Sequence, residues 1–232
     1  PALIPAMNYL HWKEKTLTDA SASVISKDYA DGFVFTRLGK GVMHQTRSVR
    51  IDLARFKLSS ENRRILKKVE GLSLTHTPLP LSDYSWTIGK LAKDFYDTKF
   101  TPGIMSAQKV KEMLTEPTQS NFNTLLSYSS GSLTLGYAIT YQSTSFLHYS
   151  YPFYDLEQSP KDTGLGMMIL AILYAQESGL DYVYLGSLQR PSDTYKLQFE
   201  GLEWFDGTRW STDLEDAKNV LRTAPDSLTS NS

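Results

Sequence analysis

Cysteine is absent from the 232-residue chain. Its absence excludes disulfide bonds, thiolate metal ligands and a cysteine nucleophile, and it is compatible with a reducing, cytoplasmic location. The longest apolar run, 164–175, is shorter than the roughly 20 residues that a membrane-spanning helix needs. Neither a G-x-S-x-G element nor a G-x-x-x-x-G-K-[ST] loop occurs, which argues against the commonest hydrolase and nucleotide-hydrolase sites.

Histidine is scarce and scattered. The four histidines are His11, His44, His76 and His148. Because they show no H-x-x-H spacing and no carboxylate set nearby, we expect no metal site, and we expect no cofactor. His148 lies in the aromatic stretch FLHYSYPFY, where a partly buried structural role is more common than a role as a base.

Positive charge is concentrated in one segment of an otherwise acidic chain. Residues 47–68 contain eight basic and two acidic side chains, although the whole chain has a net charge of −1. The segment ends in a helical pattern that starts after Ser59, a typical N-cap, and continues to about Val69. Four cations lie on one side of this helix, namely Arg63, Arg64, Lys67 and Lys68. They can contact a phosphate backbone, and the alternative is a solvated helix face.

The first part of the chain gives a sparse pattern. Strands are expected at 32–37 and 48–53, and the start of a helix at 9–14. Residues 72–85 contain Pro78 and Pro80 and indicate a linker. We therefore expect an N-terminal region at 1–80, a second domain at 81–222 and a flexible polar tail at 223–232.

The second part gives a clear element order. Helices are expected at 88–98 and 106–114, and three antiparallel strands at 122–128, 134–140 and 145–154. An apolar face beginning at Leu165 predicts a helix that ends at Gly179, and a strand, a short helix and a final strand follow. This order predicts an α/β (α+β) fold with a mixed sheet flanked by helices.

The turn before the Leu165 helix resembles the pyrophosphate turn of the acetyltransferase-like fold of the GNAT superfamily, which has the same element order. It carries Lys161, Gly164 and Gly166. A glycine turn at a helix N-terminus favours an anion, so we expect these residues to bind the donor, the alternative being a plain loop.

Asp155 ends the aromatic strand directly before this turn. A carboxylate there can accept a proton from an attacking amine, and the alternative is a turn-forming role. Tyr154, Tyr182 and Tyr184 are candidate hydroxyl donors in the same cleft, although aromatic strand residues usually belong to the core.

Two sets of residues together resemble the arginyl-tRNA–protein transferase family. The first runs from Val49-Arg50-Ile51 to Arg63-Arg64-Ile65-Leu66-Lys67-Lys68. The second comprises Phe153-Tyr154-Asp155, Tyr182-Val183-Tyr184-Leu185-Gly186 and Tyr195-Lys196. Members of that family usually carry an N-terminal cysteine cluster, and here 39–46 contains none, so iron–sulfur or haem regulation does not transfer. The stretch 187–191 also departs from the family pattern, which bears on substrate specificity.

The resemblance implies a cytoplasmic enzyme of N-degron protein arginylation. It would move an amino acid from charged tRNA to the α-amine of a protein with an acidic first residue. The family resemblance makes arginine the expected amino acid. Its partners would be aminoacyl-tRNA and protein N-termini, with no membrane and no DNA. The alternatives are an acyl-CoA-dependent N-acyltransferase and a non-catalytic tRNA- or protein-binding module.

Roles for individual residues follow from the same resemblance. Asp155 and Tyr154 would be catalytic, and the four cations of 63–68 would bind tRNA. The donor end would contact Lys161, Gly164, Gly166, Tyr184, Tyr195 and Lys196. The acidic side chain of the acceptor would pair with Arg47, Arg50 or Arg190.

Overall fold

The computed structural model describes residues 10–223. Three short strands form an antiparallel sheet in the order β1-β3-β2: β1 (Lys13–Thr16), β2 (Phe33–Phe35) and β3 (Val42–Gln45). Eight strands form the large sheet: β4 (Ser48–Asp52), β5 (Leu72–Pro78), β6 (Thr124–Ser130), β7 (Leu133–Gln142), β8 (Phe146–Tyr154), β9 (Tyr182–Ser187), β10 (Leu202–Phe205) and β11 (Trp210–Ser211).

The helices occupy both faces of the large sheet. They are α1 (Ala22–Ala30), α2 (Ser60–Lys68), α3 (Trp86–Lys99), α4 (Ala107–Thr115), α5 (Thr163–Glu177) and α6 (Leu214–Arg222), with a 3₁₀ segment at Pro191–Gln198. One hydrophobic cluster joins the sheet to α2, α5 and α6, and the other joins it to α1, α3, α4 and the small sheet. Within the described chain, every helix is too short or too polar to cross a lipid bilayer.

The large sheet is mixed, in the order β11-β10-β4-β9-β8-β7-β6-β5. Its one parallel pair is β8 with β9, and α5 connects these two strands along the chain. A parallel pair needs such a crossover, whereas short turns join the antiparallel neighbours β6 and β7, β7 and β8, and β10 and β11. The mixed sheet flanked by helices confirms the expected fold class.

Local signals in the sequence correspond closely to the elements. Ser59 caps α2, since its hydroxyl accepts from the Asn62 N–H and the Asn62 side chain accepts from the Ser59 N–H. Gly179 follows α5 with φ of 72°, the left-handed conformation that ends helices. The three consecutive strands predicted at 122–154 are β6, β7 and β8.

Two expectations for the first part of the chain were wrong. Much of the segment interpreted as a linker is β5, which pairs with β6 along its whole length. The helix start expected at 9–14 overlaps β1 instead. Strands from both sides of residue 80 share the large sheet, because β4 lies between β10 and β9. Of the tail expected at 223–232, only Thr223 lies within the described residues.

His148 has the structural role expected for it, and it makes stability depend on pH. Its Nδ1 lies 2.9 Å from the Tyr29 hydroxyl, and burial lowers the pKa of His148 to about 3. An unfolded histidine has a pKa near 6.5, so between these values protons bind the unfolded chain preferentially. The contribution of neutral His148 is therefore complete above pH ~6.5 and declines as the pH falls.

Because of His148, we expect the free energy of unfolding to fall by about 1.4 kcal/mol for each unit that the pH is lowered between about pH 6 and pH 5. Urea denaturation at several pH values measures the slope. A His148→Gln variant should be less stable at pH 7 and should lose this part of the slope. An unchanged slope in the variant contradicts the assignment.

Candidate functional site

The parallel strands separate towards their carboxyl ends. Strands β8 and β9 pair from Phe146 and Tyr182 as far as His148 and Tyr184. Beyond these residues β8 continues along β7, and β9 continues along β4. We call this opening, between 149–154 and 185–187, the β8–β9 split. In open α/β sheets the crevice at the carboxyl ends of strands is where ligands bind.

A buried charged group lies at the end of β9. The Lys196 ammonium donates to the Ser187 carbonyl at 2.8 Å and lies 3.7 Å from Asp193 Oδ1. Asp193 Oδ2 accepts from the backbone N–H groups of Gln189 and Arg190 at 2.9 and 3.0 Å. We call these five residues the Asp193 cluster. Both Lys196 and Asp193 are buried, so the pair holds a cation in a defined place beside the split.

Charge compensation keeps Asp193 ionised. Burial by itself opposes ionisation of this carboxyl, but the Lys196 ammonium and the two backbone N–H groups outweigh it. The pKa of Asp193 therefore lies below its usual value. Because Asp193 keeps its negative charge at neutral pH, Lys196 keeps an anionic partner throughout the physiological range.

Two arginines, one in this cluster and one next to it, differ in the contacts that their side chains make with other residues. The Arg190 guanidinium lies 4.9 Å from the centre of the Phe100 ring and 3.5 Å from Asp193 Oδ1. The Arg47 carbonyl accepts from the Leu188 N–H at 2.9 Å, which places Arg47 at the same end of β9. Its half-buried guanidinium makes no hydrogen bond or ion pair with another described residue, and burial lowers its pKa. An anionic ligand would therefore stabilise the charged form of Arg47.

The basic helix packs beside the start of α5. Lys68 Nζ lies 2.6 Å from Asp162 Oδ2, and Asp162 is the residue that precedes α5. This hydrogen bond, with smaller effects of Lys161 and Arg64, lowers the pKa of the Asp162 carboxyl. The structure thus brings the cations expected to bind tRNA next to the turn expected to bind the donor end. We call this region the α2–α5 junction.

The glycines of that turn pack against protein. A Cβ at Gly166 would lie 2.7 Å from Val69 Cγ2, and one at Gly164 would lie 3.0 Å from Tyr154 Cε1. The N–H groups of Leu165 and Gly166 donate to the Asp162 carbonyl at 3.1 and 2.9 Å. Both glycines therefore allow close packing of α5, and positive charge at the junction comes from lysine and arginine side chains.

Asp155 has the turn-forming geometry that was the alternative to a base. Its Oδ1 accepts from the N–H groups of Glu157 and Gln158, each at 2.9 Å, and its Oδ2 accepts from Gln158 Nε2 at 2.8 Å. Chiefly through the Gln158 N–H, these bonds lower the pKa of Asp155. A carboxylate with a lowered pKa and both oxygens engaged is a poor proton acceptor.

For the transfer reaction that the sequence resemblance implies, an Asp155→Asn variant is expected to keep a rate within about threefold of the rate of the unaltered chain. Asparagine still presents an oxygen to the two turn amides, and the Gln158 amide can rotate to pair with it. Loss of a general base would instead cost about 100-fold or more. Initial rates of transfer measure the difference, and a 100-fold loss in this variant would restore the catalytic assignment.

The side chains of Arg50 and Tyr184 pack among other side chains of the large sheet and do not line an open site. Arg50 Nε donates to Glu203 at 2.7 Å, and its guanidinium lies 4.1 Å from the ring centres of both Tyr182 and Trp210. Tyr184 is 2% exposed and packs edge-on against Tyr29. The acceptor role expected for Arg50 and the donor role expected for Tyr184 do not fit this packing.

Sequence reasoning missed two groups of side chains. Asp193 was not among the expected site residues. Its only signal in the sequence is its position three residues before Lys196, in the segment that follows β9. His11, Glu14 and His44 have no recognisable spacing, yet their ligand atoms all lie within 4.8 Å of one another. Pairing of β1 with β3 brings them together, and no local pattern could reveal it.

Two known proteins with related sequences carry the same name. Aspartate/glutamate leucyltransferase of Ruegeria pomeroyi is 30% identical over 169 residues, which is 70% of this chain and 60% of that protein. The protein of the same name from Alkalilimnicola ehrlichii is 30% identical over 181 residues, covering 76% of this chain and 74% of that protein. The chain therefore spans less than two thirds of the Ruegeria relative's length. No protein-family model matches the chain.

Solved structures show more distant likeness. The L-PGS structure from Bacillus licheniformis has a TM-score of 0.47 at 13% identity, covering 86% of this chain and 69% of that one. A tandem GNAT protein from the clavulanic acid biosynthesis pathway has a TM-score of 0.37 at 10% identity, covering 83% and 60%. The family assignment rests on the sequence relatives. At 30% identity over 74% of the Alkalilimnicola protein, the chain belongs to the aspartate/glutamate leucyltransferase family.

Proposed function

We propose that this protein transfers an amino acid from charged tRNA to the N-terminal α-amine of proteins that begin with Asp or Glu. The observation that carries the proposal is the α2–α5 junction, a basic helix held beside the β8–β9 split. The relatives' name supports leucine as the amino acid transferred. Arginine remains the prediction from the sequence resemblance. Since charged tRNA is a cytoplasmic molecule, the protein would act in the cytoplasm.

The basic helix would hold the tRNA backbone. Arg63, Arg64 and Lys67 are exposed on α2, and Lys161 is exposed just before α5. Within the described chain Lys67 forms no ion pair, whereas Arg64 pairs with Glu61. Exposed ion pairs are weak, so a phosphate can replace Glu61 as the partner of Arg64 at little cost. Such contacts release counterions and make affinity strongly dependent on salt.

The chemistry needs little beyond positioning. The neutral α-amine attacks the ester carbonyl of the aminoacyl-tRNA, a C–N bond forms, and the C–O bond to the terminal ribose breaks. The amine loses one proton and the departing ribose oxygen gains one, so no external acid or base is consumed. An α-amino group has a pKa of about 7.7–8.0, and a substantial fraction is therefore neutral near pH 7.5.

Lys196 is the group best placed to stabilise the developing oxyanion. Its ammonium sits at the carboxyl end of β9, where the Ser187 carbonyl and Asp193 fix its position. A preorganised donor in a site that excludes water is worth far more than one in bulk solvent. In this proposal Asp193 is a positioning residue, because it acts through Lys196.

Arg47 and Arg190 would recognise the acidic side chain of the acceptor. Arg190 belongs to the Asp193 cluster, and Arg47 lies at the same end of β9 and is without a carboxylate partner among the described residues. A guanidinium binds a carboxylate through two parallel hydrogen bonds, which favours Asp and Glu over neutral residues.

We expect an Arg47→Gln variant to raise KM for a peptide that begins with Asp by about 10- to 100-fold, the loss of one charged hydrogen-bonding partner. The KM for aminoacyl-tRNA should stay unchanged. Steady-state kinetics with each substrate varied in turn measures both constants. A variant with normal KM for the peptide would remove Arg47 from acceptor recognition.

A donor panel tests the proposed function. The protein is incubated with a peptide that begins with Asp and with leucyl-tRNA, arginyl-tRNA or acetyl-CoA, and the product is identified by mass spectrometry. Gain of leucine is expected, and gain of arginine would support the sequence-based alternative. Gain of an acetyl group would indicate an acyl-CoA-dependent enzyme. No product with any donor would favour a binding module without catalysis.

A further inference from the structure

Three potential metal ligands lie side by side in the small sheet. Glu14 of β1 and His44 of β3 are directly opposed in the antiparallel register, with His44 Nε2 2.7 Å from Glu14 Oε2. The His11 ring stacks on the His44 ring with centroids 4.2 Å apart. One ligand atom of each residue lies within 4.8 Å of the other two.

We propose that His11, Glu14 and His44 form a binding site for a divalent transition-metal ion, with Zn²⁺ as the best-suited ion. Two imidazoles and one carboxylate are a donor set that zinc uses, with water in the fourth position. Imidazole nitrogen favours zinc and its neighbours in the first transition row, whereas Mg²⁺ and Ca²⁺ prefer oxygen ligands.

Closing the site around an ion requires the His11 ring to turn out of its stack on His44, because the lone pairs of two stacked imidazoles lie in nearly parallel planes. Zinc bonds of about 2.0–2.1 Å in a tetrahedron place ligand atoms roughly 3.4 Å apart, and the three ligand atoms already lie within 4.8 Å of one another. His44 is 7% exposed and is held by the sheet. His11 and Glu14 are exposed and can turn towards it, and solvent gives the ion a route of entry.

The location of the site gives the ion a structural consequence. The neighbouring residue Leu10 exchanges two hydrogen bonds with the Gln189 side chain, at 2.9 and 3.1 Å. Thr46 Oγ1 also donates to the Leu10 carbonyl, at 2.5 Å. A metal ion that bridges His11 and His44 would therefore restrict the motion of the segment that contains Leu10 and His11. This segment lies beside the Asp193 cluster, which contains Gln189.

Calorimetric titration of the full chain, stripped with EDTA, with ZnCl₂ tests the proposal, and MgCl₂ serves as the comparison ion. One Zn²⁺ per chain is expected to bind, with no comparable binding of Mg²⁺. His11→Ala and Glu14→Gln should each weaken zinc binding by more than about tenfold. His76→Ala is the matched control, because His76 is an exposed histidine on β5 outside the cluster, and it should bind zinc normally.

Both single variants change exposed side chains, so they should keep the melting temperature of the unaltered chain in EDTA. The unaltered chain should gain melting temperature with Zn²⁺, and the variants should gain less. Absence of zinc binding by the unaltered chain overturns the proposal. Equal affinity in the unaltered chain and in His11→Ala also overturns it, since zinc would then bind elsewhere.

Discussion

Charge reversal of Arg63, Arg64 and Lys67 to glutamate is expected to weaken binding of charged tRNA by about 100-fold at 0.15 M salt. Each lost phosphate contact reduces affinity by roughly fivefold at this salt concentration, and three contacts multiply to that value. The dependence of log K on log salt should also become shallower by about two to three units. Fluorescence anisotropy of labelled tRNA at several salt concentrations measures both quantities.

The variant is expected to keep the fold, because all three side chains are exposed on α2. Lys68 is left in place because its ion pair with Asp162 joins α2 to α5. A double reversal of Lys90 and Lys93 on α3 is the matched control, since both pair only with acids one turn away. If the control and the α2 variant lose affinity equally, the basic helix is not the tRNA site.

Replacement of Lys196 by methionine is expected to lower kcat/KM for amino-acid transfer by about 100- to 1000-fold, the loss typical of one oxyanion donor. The tRNA affinity should stay within about twofold, because the α2 cations are unchanged. Pre-steady-state transfer from bound aminoacyl-tRNA measures the chemical step separately from binding.

Lys196→Met also leaves the buried Asp193 carboxylate without its ammonium partner, which destabilises the fold. The double variant Lys196→Met, Asp193→Asn removes both charges and should recover much of the lost melting temperature. We expect this double variant to remain as slow as Lys196→Met alone. Recovery of transfer together with stability would show that the lysine is purely structural.

The second half of the chain was predictable because its signals are local. The apolar face that begins at Leu165, the stop at Gly179 and the alternation of 122–154 each reflect neighbours within a few residues. The parallel pairing of β8 with β9 then follows from the single helix between them. The helix that begins near Leu165 and the three strands before it were therefore placed correctly along the chain.

Long-range pairing explains what the sequence did not reveal. Arg50 was expected to pair with the acidic side chain of the acceptor, but Tyr182 and Trp210 cover it from distant strands. The small sheet depends on β1 meeting β3, and neither strand exceeds four residues. Short strands without a local partner carry little periodic signal.

The turn residues show a different limit. Gly164 and Gly166 were expected to bind the donor, but a glycine pair in a sequence does not say what lies against it. The structure places Tyr154 and Val69 there. Asp155 likewise fits both a base and a turn, and only its three hydrogen bonds distinguish them.

The most direct test of the account compares two peptides that differ only at the amine. Each begins with Asp, one with a free α-amine and the other N-acetylated, and each is incubated with the protein and leucyl-tRNA. We predict that mass spectrometry shows one leucine added to the free peptide at its N-terminus and none added to the acetylated peptide. Leucine on both peptides, or on neither while the tRNA binds normally, would contradict transfer to the α-amine.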